Sequence, residues 1–446
     1  MGVIKFLKDY GYNINIMKGM AAVEDFAFQY LDYVYPVKSA FAKLEATVLH
    51  VISFKFPENA IAEGPGSIAK LGGFMKGEGF KKALIMTDKN LVALGLVKKM
   101  TDSLDAAGIQ YAIYDGVVPD PTIENVEAGY AMYKAEGCDV VIGFGGGSPI
   151  DAAKVVAGRV ARPERPTSDM GGMFGVTLPS LQWMIKKPSY YPKTICIPTT
   201  SGTGAEITFS AVITNRRTGR KYTVNDTSCQ PDYSLLDPEL TYTMDANMTA
   251  LTGIDALSHL TEAYVGDGHN AKSDAISREG IKLVFDNLAT AVAEPENVAA
   301  RTAMQKAGHL GGKELISGFT TYVHPFAHKS GAITHITHGY LIGSFMPPIL
   351  EFYRPEADER LAELAELIGV ATAGMTTADK AEAYIQAIRD LCAQFGITGL
   401  VPQLAMLDKT DFIASVRTEA FAYPTPKQMT DDEICYILDK VSGLQD

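Results

Sequence analysis

Residues 138–158 read CDVVIGFGGGSPIDAAKVVAG, an apolar run that stops at three consecutive glycines and resumes as a helical pattern. A strand, a glycine loop and a helix in that order make half of a βαβ unit, and such units dictate a parallel sheet with helices on its faces. Neighbouring segments repeat the alternation. KALIMTD (82–88) reads as a strand ending in an acid, LVALGLVKKMTDSLDAAGI (91–109) as one helix, and YAIYDGV (111–117) as a strand. TIENVEAGYAMYKAEG (122–137) reads as a helix and KTICIPTTSGTGAE (193–206) as a strand running into a loop. Ligands of such sheets bind at the C-terminal strand ends, where these loops lie.

Beyond about residue 240 the texture changes. Segments 248–265, 272–292, 298–318 and 357–395 are long, rich in Ala, Leu and Glu, and helical in period. The chain therefore divides into an extension (1–50), an α/β domain with a Rossmann-like parallel sheet (51–240) and an all-helical domain (241–446). In the extension, 22–34 spaces Phe26, Tyr30, Tyr33 and Val34 as an amphipathic helix that Pro36 ends. Such a helix suits packing on the chain's own body or a partner copy, or docking in a filament or protein shell. Regular α/β patterning starts at HVISFKFP (50–57).

Composition excludes several classes. With 446 residues and a formal net charge of -12, the chain has no basic run longer than two residues, so a nucleic-acid partner is not expected. No apolar stretch approaches the roughly 18 residues of a membrane span. The five scattered cysteines (138, 196, 229, 392, 435) form no CxxC spacing and read as reduced thiols of a cytoplasmic protein. The N-terminus lacks the apolar core of a secretory signal.

Gly145, Gly146 and Gly147, followed by Ser148 and a helix, offer backbone N–H groups to an anion such as a pyrophosphate, or form a plain tight turn. A second loop of small hydroxyl residues, PTTSGTGAE (198–206), strengthens the phosphate reading. Asp88 can accept from a ribose hydroxyl, or cap the helix that follows it. In TGIDALSHLTEAY (252–264), Asp255 and His259 are one helical turn apart and share a face. Alone, such a pair suits a metal, a surface contact or a buried hydrogen bond. Four of the eight histidines, 324, 328, 335 and 338, fall within HPFAHKSGAITHITH. His324 and His328 share a helix face, and the pair plus the cluster can assemble a four-ligand N/O site for Fe2+, Zn2+, Ni2+ or Mn2+.

TDKNLVALG, GGGSPIDAAK, PTTSGTGAE, GIDALSHLTEAY and a histidine fourteen residues before an HG together resemble the iron-containing (group III) alcohol dehydrogenase family. The pattern is nearest its lactaldehyde reductase/propanediol oxidoreductase and butanol dehydrogenase branches, and runs from about residue 52 to the C-terminus. The resemblance implies a dehydroquinate synthase-like fold, with a dinucleotide-binding α/β domain, a helical metal-binding domain and the metal in the cleft between them. It implies a metal set of Asp255, His259, His324 and His338, with His328 beside the nicotinamide. It implies cofactor contacts from Asp88, Asp120, Gly145, Gly146, Gly147, Ser148, Asp151, Thr199, Thr200, Thr203 and Lys221. NAD is expected over NADP because of Asp88, Fe2+ with Zn2+ as the alternative, a small alcohol or aldehyde as substrate, and a homodimer or larger homo-oligomer.

Three features depart from the family pattern. The family's HAMAHPLG is HPFAHKSG here, which sets Lys329 beside His328. That cation suits an anionic substrate such as a hydroxy acid or sulfo-aldehyde, or it faces solvent or an acid. After His338 stands YLIGSF in place of small residues, and the extension 1–50 has no counterpart. A zinc glycerol dehydrogenase-like enzyme, which uses one Asp and two His, is the competing expectation, and the third His, His338, argues against it.

Overall fold

The computed structural model describes residues 60–170, 190–217, 220–225, 227–420 and 423–445. The expected helix at 22–34, the expected start of α/β patterning at 50–57 and the docking role of 1–50 lie outside the described residues. The first half runs β1 (Ala60–Glu63), α1 (Leu71–Gly77), β2 (Lys82–Met86), α2 (Lys89–Ala93), α3 (Leu96–Ala107), β3 (Gln110–Tyr114) and α4 (Ile123–Glu136). It continues through β4 (Val140–Gly145), α5 (Gly147–Ala161), β5 (Lys193–Pro198), β6 (Ser210–Asn215), β7 (Arg220–Asn225) and β8 (Tyr233–Leu236).

Six strands form one sheet in the order β1-β8-β5-β4-β2-β3, and every pairing is parallel. The apolar runs are continuous because both faces are covered. Ala83, Ile85, Ile142 and Phe144 pack with Leu71 and Leu104 on one face, while Leu84, Met86 and Val141 pack with Val126 and Val155 on the other. The chain steps from β2 outward to β3, then returns past β2 to β4, so the strand order reverses between β2 and β4. That reversal opens a crevice at the carboxyl ends of the two strands, where ligands of such sheets bind.

The second half is helical: α6 (Ala246–Val265), α7 (Ala271–Ala293), α8 (Val298–Ser317), α9 (Val323–Thr334), α10 (His338–Leu367), α11 (Thr377–Gln394), α12 (Lys409–Ala420) and α13 (Asp431–Ser442). The carboxylate of Asp245 accepts the Met248 N–H and starts α6. Every residue of α6 from Gly253 to Val265 is buried, as expected of a helix surrounded by others. Gly253 lets α7 and α8 close in, since a Cβ there would lie 2.4 Å from Leu288 Cδ1. No helix among the described residues is long and apolar enough to cross a membrane.

Three sequence expectations change. The helix expected over 91–109 is two, α2 and α3, because Gly95 takes a left-handed φ of 73° between them. The helix expected over 357–395 is also two. Left-handed Gly369 and Gly374 lie in the connection, and Thr376 with Asp379 forms a capping box that restarts α11. The antiparallel ribbon β6–β7 was not expected at all; it carries Lys221.

Candidate metal centre and cofactor cleft

The side chains of Asp255 and His259 leave the same face of α6 and are buried, and His324 reaches them from α9. The Nε2 atoms of His259, His324 and His338 lie 3.7, 3.7 and 3.4 Å from Oδ1 of Asp255. These separations are long for N–H···O bonds. Accordingly, Asp255 Oδ1 and His324 Nε2 are buried without a hydrogen-bond partner. Ligand atoms of Asp255, His259 and His324 all lie within 4.8 Å of one another. Tetrahedral ligands on bonds of 2.0–2.2 Å would sit about 3.4 Å apart, so the converging atoms fit a divalent ion. The donors are imidazole and carboxylate, with no thiolate, which suits Fe2+ or Zn2+. His338 enters from the first turn of α10, and its side chain stays 39% exposed, so the cluster is dry on one side and open on the other.

The charges of the cluster are mutually dependent. Burial pushes the Asp255 carboxyl up, but the facing histidines overcome it and hold it well below the usual range. Burial pushes His259 down to about 4 and also lowers His338. Burial opposes charge on His324 as well, yet the Glu262 and Asp255 carboxylates push that imidazole up to about 10. A metal at this point would compete with that proton.

Glu262 was not anticipated from the sequence. It is fully buried on α6, three residues after His259. Its Oε1 lies 2.6 Å from Nδ1 of His324 and accepts from Ser258 Oγ at 2.7 Å. Its Oε2 accepts from the Thr321 N–H at 2.6 Å and the Thr321 hydroxyl at 2.7 Å. A carboxylate on Nδ1 turns Nε2 of His324 toward the cluster. Glu262 lies seven residues after Asp255, two turns along the same face, which is the signal the sequence did carry.

His328 stands beside the cluster, its ring stacked on His338 with centroids 5.1 Å apart. Its Nδ1 meets Glu419 Oε1 of α12 at 2.6 Å, a partner ninety-one residues away that no local pattern reveals. Lys329 donates to Asp411 Oδ2 at 2.5 Å, so the expected alternative of a cation facing an anionic substrate has no support here.

The two loops expected to bind a cofactor meet at the carboxyl ends of β4 and β5. The register that pairs Gly145 with Pro198 sets the glycine loop level with the second loop. Thr199 N donates to Gly145 O at 2.9 Å. Gly145 has a φ of 147°, and a Cβ there would lie 2.7 Å from Pro149 Cγ. Thr200 and Thr203 fill the space that Cβ atoms of Gly146 and Gly147 would approach at 3.3 Å. Ser148 lies in the first turn of α5. The second loop also rests on the helical half: a Cβ on Gly202 would come within 2.6 Å of the Thr252 carbonyl, one turn before Asp255.

Two of the residues expected to contact a cofactor also hold the fold. Asp88 caps α2, its Oδ1 accepting the Asn90 and Leu91 N–H groups, which is the helix-cap reading. Asp151 commits its carboxylate to the fold: Oδ2 accepts the Val212 N–H at 2.8 Å and Oδ1 accepts from Lys154 at 3.3 Å. Lys221 on β7 donates to Asp120 Oδ1 at 2.6 Å, and Asp120 itself takes a left-handed φ of 56°.

Residues 58–238 match the family model for iron-containing alcohol dehydrogenase, and residues 249–442 match that family's C-terminal model. The chain is 34% identical over 378 residues to 1,3-propanediol dehydrogenase of Klebsiella pneumoniae, covering 84% of this chain and 95% of that one. It is 35% identical over 334 residues to NAD-dependent methanol dehydrogenase of Bacillus methanolicus, covering 75% and 84%. Among solved structures, alcohol dehydrogenase from Oenococcus oeni superposes with a TM-score of 0.80 at 32% identity, over 86% of this chain and 98% of that one.

Proposed function

Because the chain belongs to the iron-containing alcohol dehydrogenase family, we propose that it interconverts a small, uncharged alcohol and its aldehyde with NAD(H), using Fe2+ held by Asp255, His259, His324 and His338. One observation carries the reading: three imidazole nitrogens lie 3.4–3.7 Å from one carboxylate oxygen that has no hydrogen-bond partner. When bound, a divalent ion there supplies Lewis acidity toward an alcohol or carbonyl oxygen, and a nicotinamide supplies or accepts the hydride.

The chain's own residues do the rest. The amides of Gly146, Gly147 and Ser148 open α5 and bind a pyrophosphate. Thr199, Thr200 and Thr203 wall the same crevice, and Lys221, paired with Asp120, contacts the nucleotide. Asp88, one of whose carboxylate oxygens caps α2, accepts from a ribose hydroxyl with the other and repels a 2′-phosphate, which favours NAD. Glu262 orients His324. Glu419 holds Nδ1 of His328, leaving its other ring nitrogen to exchange a proton with the substrate hydroxyl. Lys329 already pairs with Asp411, which favours an uncharged substrate. All five cysteines are free, in keeping with a reducing cytoplasm, and the family expectation is a homodimer.

The test is anaerobic metal analysis joined to NADH oxidation over a panel of small aldehydes. The expected result is about one metal per chain, activity lost on chelation and restored by Fe2+. Metal-free protein after anaerobic handling would overturn the ligand set. Bound metal without turnover on either NADH or NADPH would overturn the reaction.

A further inference from the structure

We infer that Lys154 is a positioning residue for the dinucleotide, a buried ammonium that holds the second cofactor loop at the height of the glycine loop. The inference rests on the cofactor reading above. Lys154 lies six residues after Ser148 on α5, about 9 Å along the helix. Its side chain is 0% exposed. Its neighbours Ala152, Ala153, Val155 and Val156 are buried and apolar. A helix that needed only packing there would carry Leu or Met, because a buried ammonium must recover its lost hydration from acceptors.

The acceptors are specific. Nζ donates to the Ala205 carbonyl at 3.0 Å, the Thr208 hydroxyl at 2.9 Å, the Ser210 carbonyl at 2.5 Å and Asp151 Oδ1 at 3.3 Å. Three of the four lie in the segment that leads out of the second loop into β6. Asp151 extends the same tie by accepting the Val212 N–H. The near end of the loop is fixed separately, by the Thr199 N–H on the Gly145 carbonyl.

Thr200 and Thr203 therefore hang between two anchors, both of which start from the glycine loop and its helix. One anchor is a backbone bond that no side-chain truncation removes. The other is a single side chain. Lys154 has no surface with which to touch a ligand, so its effect on the cofactor passes through the loop. The metal ligands sit on α6, α9 and α10, whereas the acceptors of Lys154 lie on α5 and between the second loop and β6.

The experiment compares Lys154→Met and Thr208→Val with wild type by NADH fluorescence titration, metal content and steady-state kinetics. Lys154→Met is expected to weaken NADH binding at least tenfold, about 1.4 kcal/mol. Thr208→Val, which keeps the ammonium and removes one acceptor, is expected to weaken it about threefold, about 0.65 kcal/mol. Metal content and the KM for aldehyde stay at wild-type values, so the defect appears as a rise in the KM for NADH alone. Wild-type NADH affinity in both variants overturns the inference, as does a parallel loss of metal and of both substrates' affinities. If Lys154→Met does not fold, Thr208→Val decides: a raised NADH Kd supports the inference and an unchanged one overturns it. Wild-type protein that bound neither NADH nor NADPH would overturn the cofactor reading first, and this inference with it.

Discussion

The two sides of the cleft hold their polar groups in opposite ways. On the sheet side the working groups are largely backbone, exposed because glycines carry no Cβ: at Gly145 an added methyl would lie 2.7 Å from Pro149. On the helical side they are side chains driven into the middle of a buried helix, with Asp255, His259 and Glu262 all below 5% exposure. The first site is damaged by adding atoms and the second by removing them. Substitutions can therefore separate cofactor binding from metal binding, although Gly202 packs directly on α6.

The largest effect is expected at Asp255. Asp255→Ala removes the oxygen on which three imidazoles converge. We expect loss of bound metal and a fall in kcat/KM of about a thousandfold or more, read by metal analysis and NADH oxidation, with NADH still binding. If NADH binding disappeared too, the two sides would not be separable.

The mirror test is Gly145→Ala. Strain at a φ of 147° and the clash with Pro149 should cost about 2–4 kcal/mol, as weaker NADH binding and a lower melting temperature. Metal content should hold. A metal-free Gly145→Ala would break the comparison from the other direction.

Two buried carboxylates sharpen the helical side. Glu262 faces His324, and its carboxyl stays below the ordinary value although burial pushes the other way. Glu314, on α8, faces Ser273 and Ser317, and burial pushes it up from 4.5 to about 7. The folded protein thus holds a proton at Glu314 that the unfolded chain has released between pH 4.5 and about 7. Stability from this group is full below pH 4.5, falls as pH rises through that window, and is level above about 7. The total is about 3 kcal/mol, and Glu314→Gln should abolish that slope in denaturant unfolding run at pH 5 and pH 8. An unchanged slope would mean the carboxyl reaches water.

Glu262→Gln should weaken metal affinity about 10–100-fold by releasing His324, measured by chelator competition, while the folded state persists. The smallest effect is at Lys329. Its bond to the exposed Asp411 is a surface ion pair, so Lys329→Ala should leave KM within about twofold for neutral and for anionic aldehydes alike. A selective loss with an anionic aldehyde would revive the charged-substrate reading.

What could be read in the sequence differs between the two sides for physical reasons. Asp255 with His259, and His324 with His328, stand one helical turn apart, and four histidines crowd fifteen residues of a chain that holds eight. The strand–glycine–helix texture likewise announces its crevice. Glu419 was invisible because tertiary packing alone brings it to His328. The bond from the Val212 N–H to Asp151 was likewise illegible, because it joins residues sixty-one apart. Gly95 was absorbed into a helical pattern that tolerates one glycine, and only its left-handed φ ends α2.

The seam beneath the second loop has a mechanical consequence. Gly204 meets Gly312 so closely that a Cβ on the first would lie 2.3 Å from Cα of the second, and Gly308 meets the Gly202 amide in the same way. Backbones already touching cannot close further, so this line resists compression and sliding alike. The spacing between the second loop and α8 is thus set by four absent methyl groups.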